Sequence, residues 1–147
     1  MLKDAFQKVL IGKDLTQDEM QAVIGEVMDG NADPIQVAGL LVALRVKGEK
    51  AEEIAGAATA MRARMNRLSL NTKPLLDTCG TGGSGTGSFN ISTATAFVVA
   101  ADDRVSVAKH GNKAVSSLSG SADVLSELNV TITAPLASMQ SAIETIG

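Results

Sequence analysis

The sequence predicts an α/β fold in two parts: a helical N-terminal domain over residues 1–70, then the start of a parallel-sheet α/β domain over 71–147. Three observations carry this reading. The first half shows only helix-period apolar spacing, marked off by cap signals. Periodicity is then lost from Arg67 to Pro74. From Leu75 onward, short apolar runs alternate with helical runs, as parallel strands joined by crossover helices require.

Each element has its own signal. Leu2, Ala5, Phe6, Val9 and Leu10 recur at helical spacing within residues 2–11. Thr16-Gln17-Asp18-Glu19 is a capping box that opens a second helix bearing Met20, Val23, Ile24 and Val27 on one face and stopping near Gly30. Asp33 before Pro34 is an N-cap with proline at the first helical position, starting a third helix that runs through Leu44 and ends by Gly48. Its run Val37 to Leu44 is apolar nearly all round, which predicts burial on several sides. A fourth helix over 51–66 is rich in small residues and suited to close helix approach. Beyond the boundary the expected order is a strand at Leu75–Thr78, a helix at 91–102, a strand at Val105–Ala108, a helix at 122–128 and a helix at Pro135–Ile146.

At 147 residues, 45% hydrophobic and 20% charged, the chain has a globular balance. Three Phe and no Trp or Tyr leave the core to aliphatic residues and Met. A net charge of −3 without a basic cluster argues against nucleic acid as the main partner. One cysteine, Cys79, and one histidine, His110, allow no internal disulfide and predict no Cys/His zinc site. The start lacks the apolar core of a signal peptide, and no run of about eighteen apolar residues could span a bilayer. A cytoplasmic setting without membrane contact is therefore expected. The last helix stops where a third strand would follow, so the sequence reads as the beginning of a larger α/β protein.

The densest chemical signal lies between the first predicted strand and the next helix. Five of the eight residues from Gly80 to Gly87 are glycine, followed by Asn90, Ser92 and Thr93 at a helix entrance. Such a loop can turn several backbone N–H groups onto one anion, and the helix N-terminus adds more. It reads as a phosphate or pyrophosphate cradle; a flexible Gly/Ser linker is the plainer alternative. Gly80-x-Gly82-x-x-Gly85 formally fits a dinucleotide fingerprint, but Asp102 and Asp103 precede the second strand instead of ending it, where a ribose-binding acid belongs. No lysine follows the glycines at the place a Walker A loop demands. The second strand leads into Lys109, His110, Asn112 and a serine-rich run ending at Ser121. Ligands bind outside carboxyl strand ends in open parallel sheets, so both loops should face one crevice. Lys109 offers a point charge for phosphate, Asn112 a donor and an acceptor. His110 reads on its own as a structural imidazole holding the loop.

Taken together, Gly80-Thr81-Gly82-Gly83, Asn90-Ile91-Ser92-Thr93, Lys109-His110-Gly111-Asn112 and Ser119-Gly120-Ser121-Ala122-Asp123 resemble the anthranilate phosphoribosyltransferase family of tryptophan biosynthesis. The resemblance runs the length of the chain but matches only about the first half of a family member. It implies a phosphoribosyltransferase domain of nucleoside-phosphorylase-like fold and transfer of phosphoribosyl from 5-phosphoribosyl 1-diphosphate to anthranilate, with Mg²⁺. The apolar surface of residues 34–66 exceeds what four small helices need internally, which predicts a homodimer through the helical domain. The resemblance further implies a donor-binding set of Gly80, Gly83, Ser84, Ser88, Asn90, Ile91, Ser92, Thr93, Lys109, His110, Gly111, Asn112, Lys113, Ser117 and Ser121. Anthranilate would meet Gly80 and Asn112, and Ser92 would ligate the metal. Lys109 acts electrostatically, and no nucleophile is implied. Ser84 stands where the family usually has Asp, Ser88 where Thr is common, and Lys113 where Arg is common. The family's Asp-Glu magnesium pair and anthranilate-contacting Arg fall beyond Gly147, so this chain by itself is expected to have little or no activity. The alternatives are a nucleic-acid-binding relative of the same fold and a nucleoside phosphorylase-like enzyme.

Overall fold

The computed structural model describes residues 1–71, 73–80, 89–113 and 120–147. Its chain divides into two compact units, Met1–Asn66 and Arg67–Gly147.

The first unit holds four helices: α1 (Leu2–Leu10), α2 (Gln17–Met28), α3 (Pro34–Lys47) and α4 (Ala51–Arg64). At α2 and α3, a side chain satisfies first-turn N–H groups that would otherwise lack a partner. Thr16 Oγ1 accepts from the Glu19 N–H at 3.2 Å, while Glu19 Oε2 accepts from the Thr16 N–H at 2.8 Å. Asp33 Oδ1 accepts from the N–H groups of Ile35 and Gln36, both at 3.0 Å. Gly48 ends α3 at φ +86°, a conformation L side chains rarely adopt.

The core gathers Leu2, Ala5, Val9, Leu15, Met20, Val23, Leu40 and Leu44, with Phe6, Ile24 and Val37 packed against it. Helix α4 lies against α2, and α1 against α3. The small residues of α4 permit that approach. A Cβ on Gly56 would collide with the Gln17 carbonyl oxygen and stand 3.0 Å from the Gln21 nitrogen and the Met20 Cβ. At the far end of the pair, Arg64 grips both Asp29 carboxylate oxygens at 2.6 Å. Helix α3 departs from expectation: within the run Val37 to Leu44 only Leu40 and Leu44 are buried, while Leu41 and Val42 are 53% and 64% exposed. Its all-round apolar surface meets α1 on one side, and the remainder faces outward.

Beneath this packing lies a charged cluster that apolar periodicity could not reveal. Glu53 is fully buried. Its Oε1 accepts from the Leu15 N–H at 2.9 Å, and its Oε2 from the Lys50 N–H at 2.8 Å and Lys47 Nζ at 2.9 Å. Lys47 also donates to Asp14 at 2.7 Å. Burial works against the Glu53 charge, but the two backbone N–H groups and the Lys47 ammonium outweigh it and hold its carboxyl below the usual range.

The second unit contains β1 (Leu75–Leu76), α5 (Ile91–Ala100), β2 (Ser106–Val107), α6 (Ser121–Glu127) and α7 (Leu136–Ile146). The strands are parallel, with Leu75 opposite Ser106 and Leu76 opposite Val107. Flanking bonds from the Ser106 N–H to the Pro74 carbonyl and the Ala108 N–H to the Leu76 carbonyl, each 3.0 Å, extend the ladder. Both strands are shorter than predicted, because each has one neighbour among the described residues and β1 gives way at once to a side-chain-capped turn. Asp102, whose position before the second strand argues against a ribose-binding role, accepts from Arg104 in the turn leading to β2. The non-periodic segment after Arg67 is held by α7, where Gln140 Nε2 donates to the Ser69 carbonyl at 3.0 Å.

Removing the Glu53 carboxylate leaves the buried Leu15 N–H and the part-buried Lys50 N–H without their acceptor and leaves the Lys47 ammonium with Asp14 as its only carboxylate partner. Glu53→Ala should therefore lower stability at neutral pH by about 3 kcal/mol, read from urea unfolding. Because the folded carboxyl titrates below its ordinary 4.5, its contribution is complete above that pH and fades as pH falls through the lower folded value. Glu53→Gln should flatten this acid limb. An unchanged neutral-pH midpoint in Glu53→Ala would show that the cluster is not a stabilising element.

Candidate functional site

The parallel register brings the tails of β1 and β2 side by side at their carboxyl ends. Asp77 leaves β1 and turns its carboxylate onto backbone: Oδ1 accepts from the Cys79 N–H at 2.9 Å and from the His110 N–H, across the sheet, at 3.2 Å. One carboxylate thus fastens the start of the glycine-rich run to the loop after β2. Some desolvation opposes its charge, but the Cys79 thiol and the two N–H groups hold the Asp77 carboxyl below its ordinary range. The same contact pushes the Cys79 thiol up, since the neighbouring carboxylate accepts its proton and repels a thiolate.

A second group of contacts joins the tails to α5. Lys109 Nζ donates to Ser92 Oγ at 3.1 Å and stands 3.5 Å from Thr78 Oγ1. Thr78 Oγ1 donates to the Ser92 carbonyl at 2.8 Å. Asn90 caps α5: its Oδ1 accepts from the Thr93 N–H at 3.1 Å and from Ser92 Oγ at 3.2 Å. Segments seventeen residues apart in sequence therefore meet around one ammonium. Asn90, Ser92 and Lys109 are each half-buried, so the charge sits at the mouth of the cluster with one side toward solvent.

A third set of contacts organises the loop after β2. The Asn112 N–H donates to Ser121 Oγ at 3.2 Å, and the Ala122 N–H to the Asn112 carbonyl at 3.2 Å. Gly111 packs against this turn, where an added Cβ would stand 3.0 Å from Ser121 Oγ. Asp123 Oδ2 accepts from the Gly120 N–H at 2.7 Å and opens α6.

Among the residues singled out from sequence, the structure brings together Asn90, Ser92 and Lys109, and separately Gly111, Asn112 and Ser121. Gly80, Ile91, His110 and Lys113 are exposed. Thr93 points inward: it is 3% exposed, and its hydroxyl has no hydrogen-bond partner among the described residues. Gly83, Ser84, Ser88 and Ser117 lie outside the described residues. Sequence reasoning passed over Asp77 and Thr78 by placing both inside the first strand. Their signal was position, since the first polar residues after a buried-type strand stand at the edge where ligands gather.

A helical unit followed by a β–α–β crossover, with a lysine and hydroxyls gathered at the strand ends, defines a two-part α/β protein. Comparison with known proteins makes the class specific. The model of the glycosyl transferase family helical bundle domain matches residues 3–65, and that of the glycosyl transferase family a/b domain matches residues 72–147. The chain belongs to this glycosyl transferase family. It is 52% identical over all 147 residues to the anthranilate phosphoribosyltransferase of Anaeromyxobacter sp. (strain Fw109-5), covering 43% of that protein. Over 132 residues, 90% of this chain, it is 54% identical to the Brevibacillus brevis enzyme of the same name and covers 38% of it. Among solved structures, anthranilate phosphoribosyltransferase from Thermus thermophilus matches 96% of this chain and 43% of its own, at 47% identity and TM-score 0.81. The Saccharomyces cerevisiae enzyme, in complex with PRPP and Mg, matches 95% of this chain and 43% of its own, at 28% identity and TM-score 0.79. The chain therefore spans about two fifths of the length of these relatives.

The Asp77 tie should be visible in hydrogen exchange. Asp77→Ala removes the carboxylate oxygen that accepts from the Cys79 and His110 N–H groups and should speed their exchange by about tenfold, the equivalent of roughly one hydrogen bond. Asp77→Asn keeps an oxygen acceptor and should change far less. Equal protection in the alanine variant would mean that the two tails are held by other means.

Proposed function

We propose that this chain carries the donor-binding part of an anthranilate phosphoribosyltransferase. The reaction moves the 5-phosphoribosyl group from 5-phosphoribosyl 1-diphosphate to anthranilate, giving N-(5-phosphoribosyl)anthranilate and pyrophosphate in tryptophan biosynthesis. The observation that carries this reading is the Lys109–Ser92–Asn90 cluster at the carboxyl ends of two parallel strands, where the glycine-rich run begins. The relatives' names agree with it.

The chemistry asks little of the protein in covalent terms. The bond from the anomeric carbon to the diphosphate oxygen breaks, that carbon becomes electron-poor, and the anthranilate amine attacks it and then loses a proton. Rate comes from holding the charged leaving group and aligning the amine, which fixed dipoles and an ammonium do without a nucleophile. Lys109, its ammonium beside Ser92, would meet the diphosphate. Gly80, Gly83, Ser84, Ser88, Asn90, Ile91, Ser92, Thr93, Gly111, Lys113, Ser117 and Ser121 belong to the donor side, with Asn112 and the Gly80 backbone toward anthranilate. His110 has its backbone N–H on Asp77, so it contributes by shaping the turn. The inward-facing Thr93 contributes through its place in the α5 entrance.

Ser92 Oγ, a hard oxygen donor, would be the ligand this chain offers to Mg²⁺, which also takes oxygen from phosphates and water. The ion would neutralise charge on the departing diphosphate, held on the protein side by Ser92. We place residues 1–70 as the helical domain and 71–147 as the first part of the donor-binding domain. The exposed apolar residues of the helices, Ile35, Val46, Ile54 and Met61 among them, support a homodimer through that domain. Among the described residues no helix is long and apolar enough to cross a membrane. A cytoplasmic setting fits the biosynthetic role.

Because the chain spans about two fifths of its relatives' length, the direct test reads donor binding. In titration calorimetry with 5-phosphoribosyl 1-diphosphate and Mg²⁺, Lys109→Ala should weaken binding about tenfold to a hundredfold, the range for a lost hydrogen bond to a charged group. Equal affinity in the variant, or no binding by the unaltered chain, would remove the basis of the assignment. For the dimer, sedimentation should give twice the chain mass, and Val46→Glu should shift it to monomer. A monomer at high concentration in the unaltered protein would count against the helical interface.

A further inference from the structure

Asp77, Cys79 and His110 offer a carboxylate oxygen, a sulfur and an imidazole nitrogen that all lie within 4.8 Å of one another. The backbone explains why they meet. Asp77 and Cys79 are two apart in the tail of β1, and the Asp77 side chain folds back onto the Cys79 N–H. His110 reaches the same place from the tail of β2, its own N–H on the same carboxylate. All three residues are exposed, so an ion could reach them from solvent.

We propose that Asp77, Cys79 and His110 form a binding site for a borderline-soft divalent cation of the zinc class, with three protein ligands and solvent completing the shell. The donor set decides the metal. Sulfur and imidazole suit Zn²⁺ or Co²⁺ and are poor partners for Mg²⁺, which takes oxygen. This site is therefore chemically separate from the magnesium position at Ser92. Ligand atoms on one tetrahedral zinc lie about 3.5 Å apart, so closing from 4.8 Å asks for roughly 1 Å of side-chain adjustment, within reach of exposed rotamers. A count of one cysteine and one histidine rules out a four-ligand structural zinc knot; it does not rule out a mixed site completed by a carboxylate. An ion here would cross-link the two strand tails that carry Gly80 and Lys109.

Cys79 is the sole cysteine, so thiol chemistry on the intact chain reports this site alone. One equivalent of Co²⁺ should produce a near-ultraviolet thiolate-to-cobalt band, and Zn²⁺ should slow alkylation of Cys79; excess Mg²⁺ should do neither. Cys79→Ser should abolish the band. His110→Gln keeps the backbone N–H that Asp77 accepts, and should weaken Co²⁺ binding by about tenfold or more, the scale on which even outer contacts to a metal matter. Circular dichroism of each variant guards against misfolding. Absence of the band in the unaltered chain would overturn the proposal. So would Co²⁺ binding and Zn²⁺ protection that His110→Gln and Asp77→Asn leave unchanged, since that would be simple complexation by a thiol.

Discussion

Everything at the candidate site follows from a parallel pairing only two residues long. Leu75 beside Ser106 and Leu76 beside Val107 set the direction and spacing of the two tails, and parallel strands carry both tails out of the same edge. Had the strands run antiparallel, the glycine-rich run and the Lys109 loop would leave opposite ends of the ladder. So short a ladder is weak by itself. The Asp77 carboxylate adds what it lacks, by accepting one N–H from each tail beyond the last strand residue. Lys109 can then reach Ser92 on the crossover helix, and its ammonium stands between the hydroxyls of Ser92 and Thr78.

The helical unit solves a different problem with a similar device. An apolar core of this size leaves little margin, and the loop around Leu15 brings a backbone N–H into the interior. Glu53 meets it, while its second oxygen joins the start of α4 to the end of α3 through Lys50 and Lys47. In each unit one carboxylate serves donors from separate segments. The difference is burial: Glu53 is sealed off and structural, whereas Asp77 is exposed and stands beside groups that can meet a ligand.

Much of this was legible in the sequence, for reasons that are local. Capping signals such as Thr16 with Glu19 and Asp33 with Pro34 act over three residues, so the helices begin where they were expected. The strand-to-helix alternation predicted the parallel sheet, and the resemblance supplied the set of polar residues. Contacts between segments distant along the chain could not be read. A lone Glu53 in a helix looks like any solvated glutamate, and nothing in its neighbourhood announces Leu15 thirty-eight residues earlier. The reading of α3 as buried on several sides failed because periodicity reports which faces are apolar, while burial depends on what else is present to cover them. Asp77 was missed through a boundary error of two residues, enough to turn a capping carboxylate into a strand residue.

The inventory of side chains also says what kind of chemistry the edge can support. A nucleophilic mechanism needs a hydroxyl or thiol with a base in contact to take its proton. The only thiol faces a carboxylate that raises its pKa, and so is held in its less reactive form. The Ser92 hydroxyl accepts from an ammonium and donates to a carboxamide, neither of which can act as a base. The transfer proposed above displaces a leaving group at a sugar carbon, a step that asks for held charge and no covalent intermediate, and an ammonium between hydroxyls is the kind of group such a step would use.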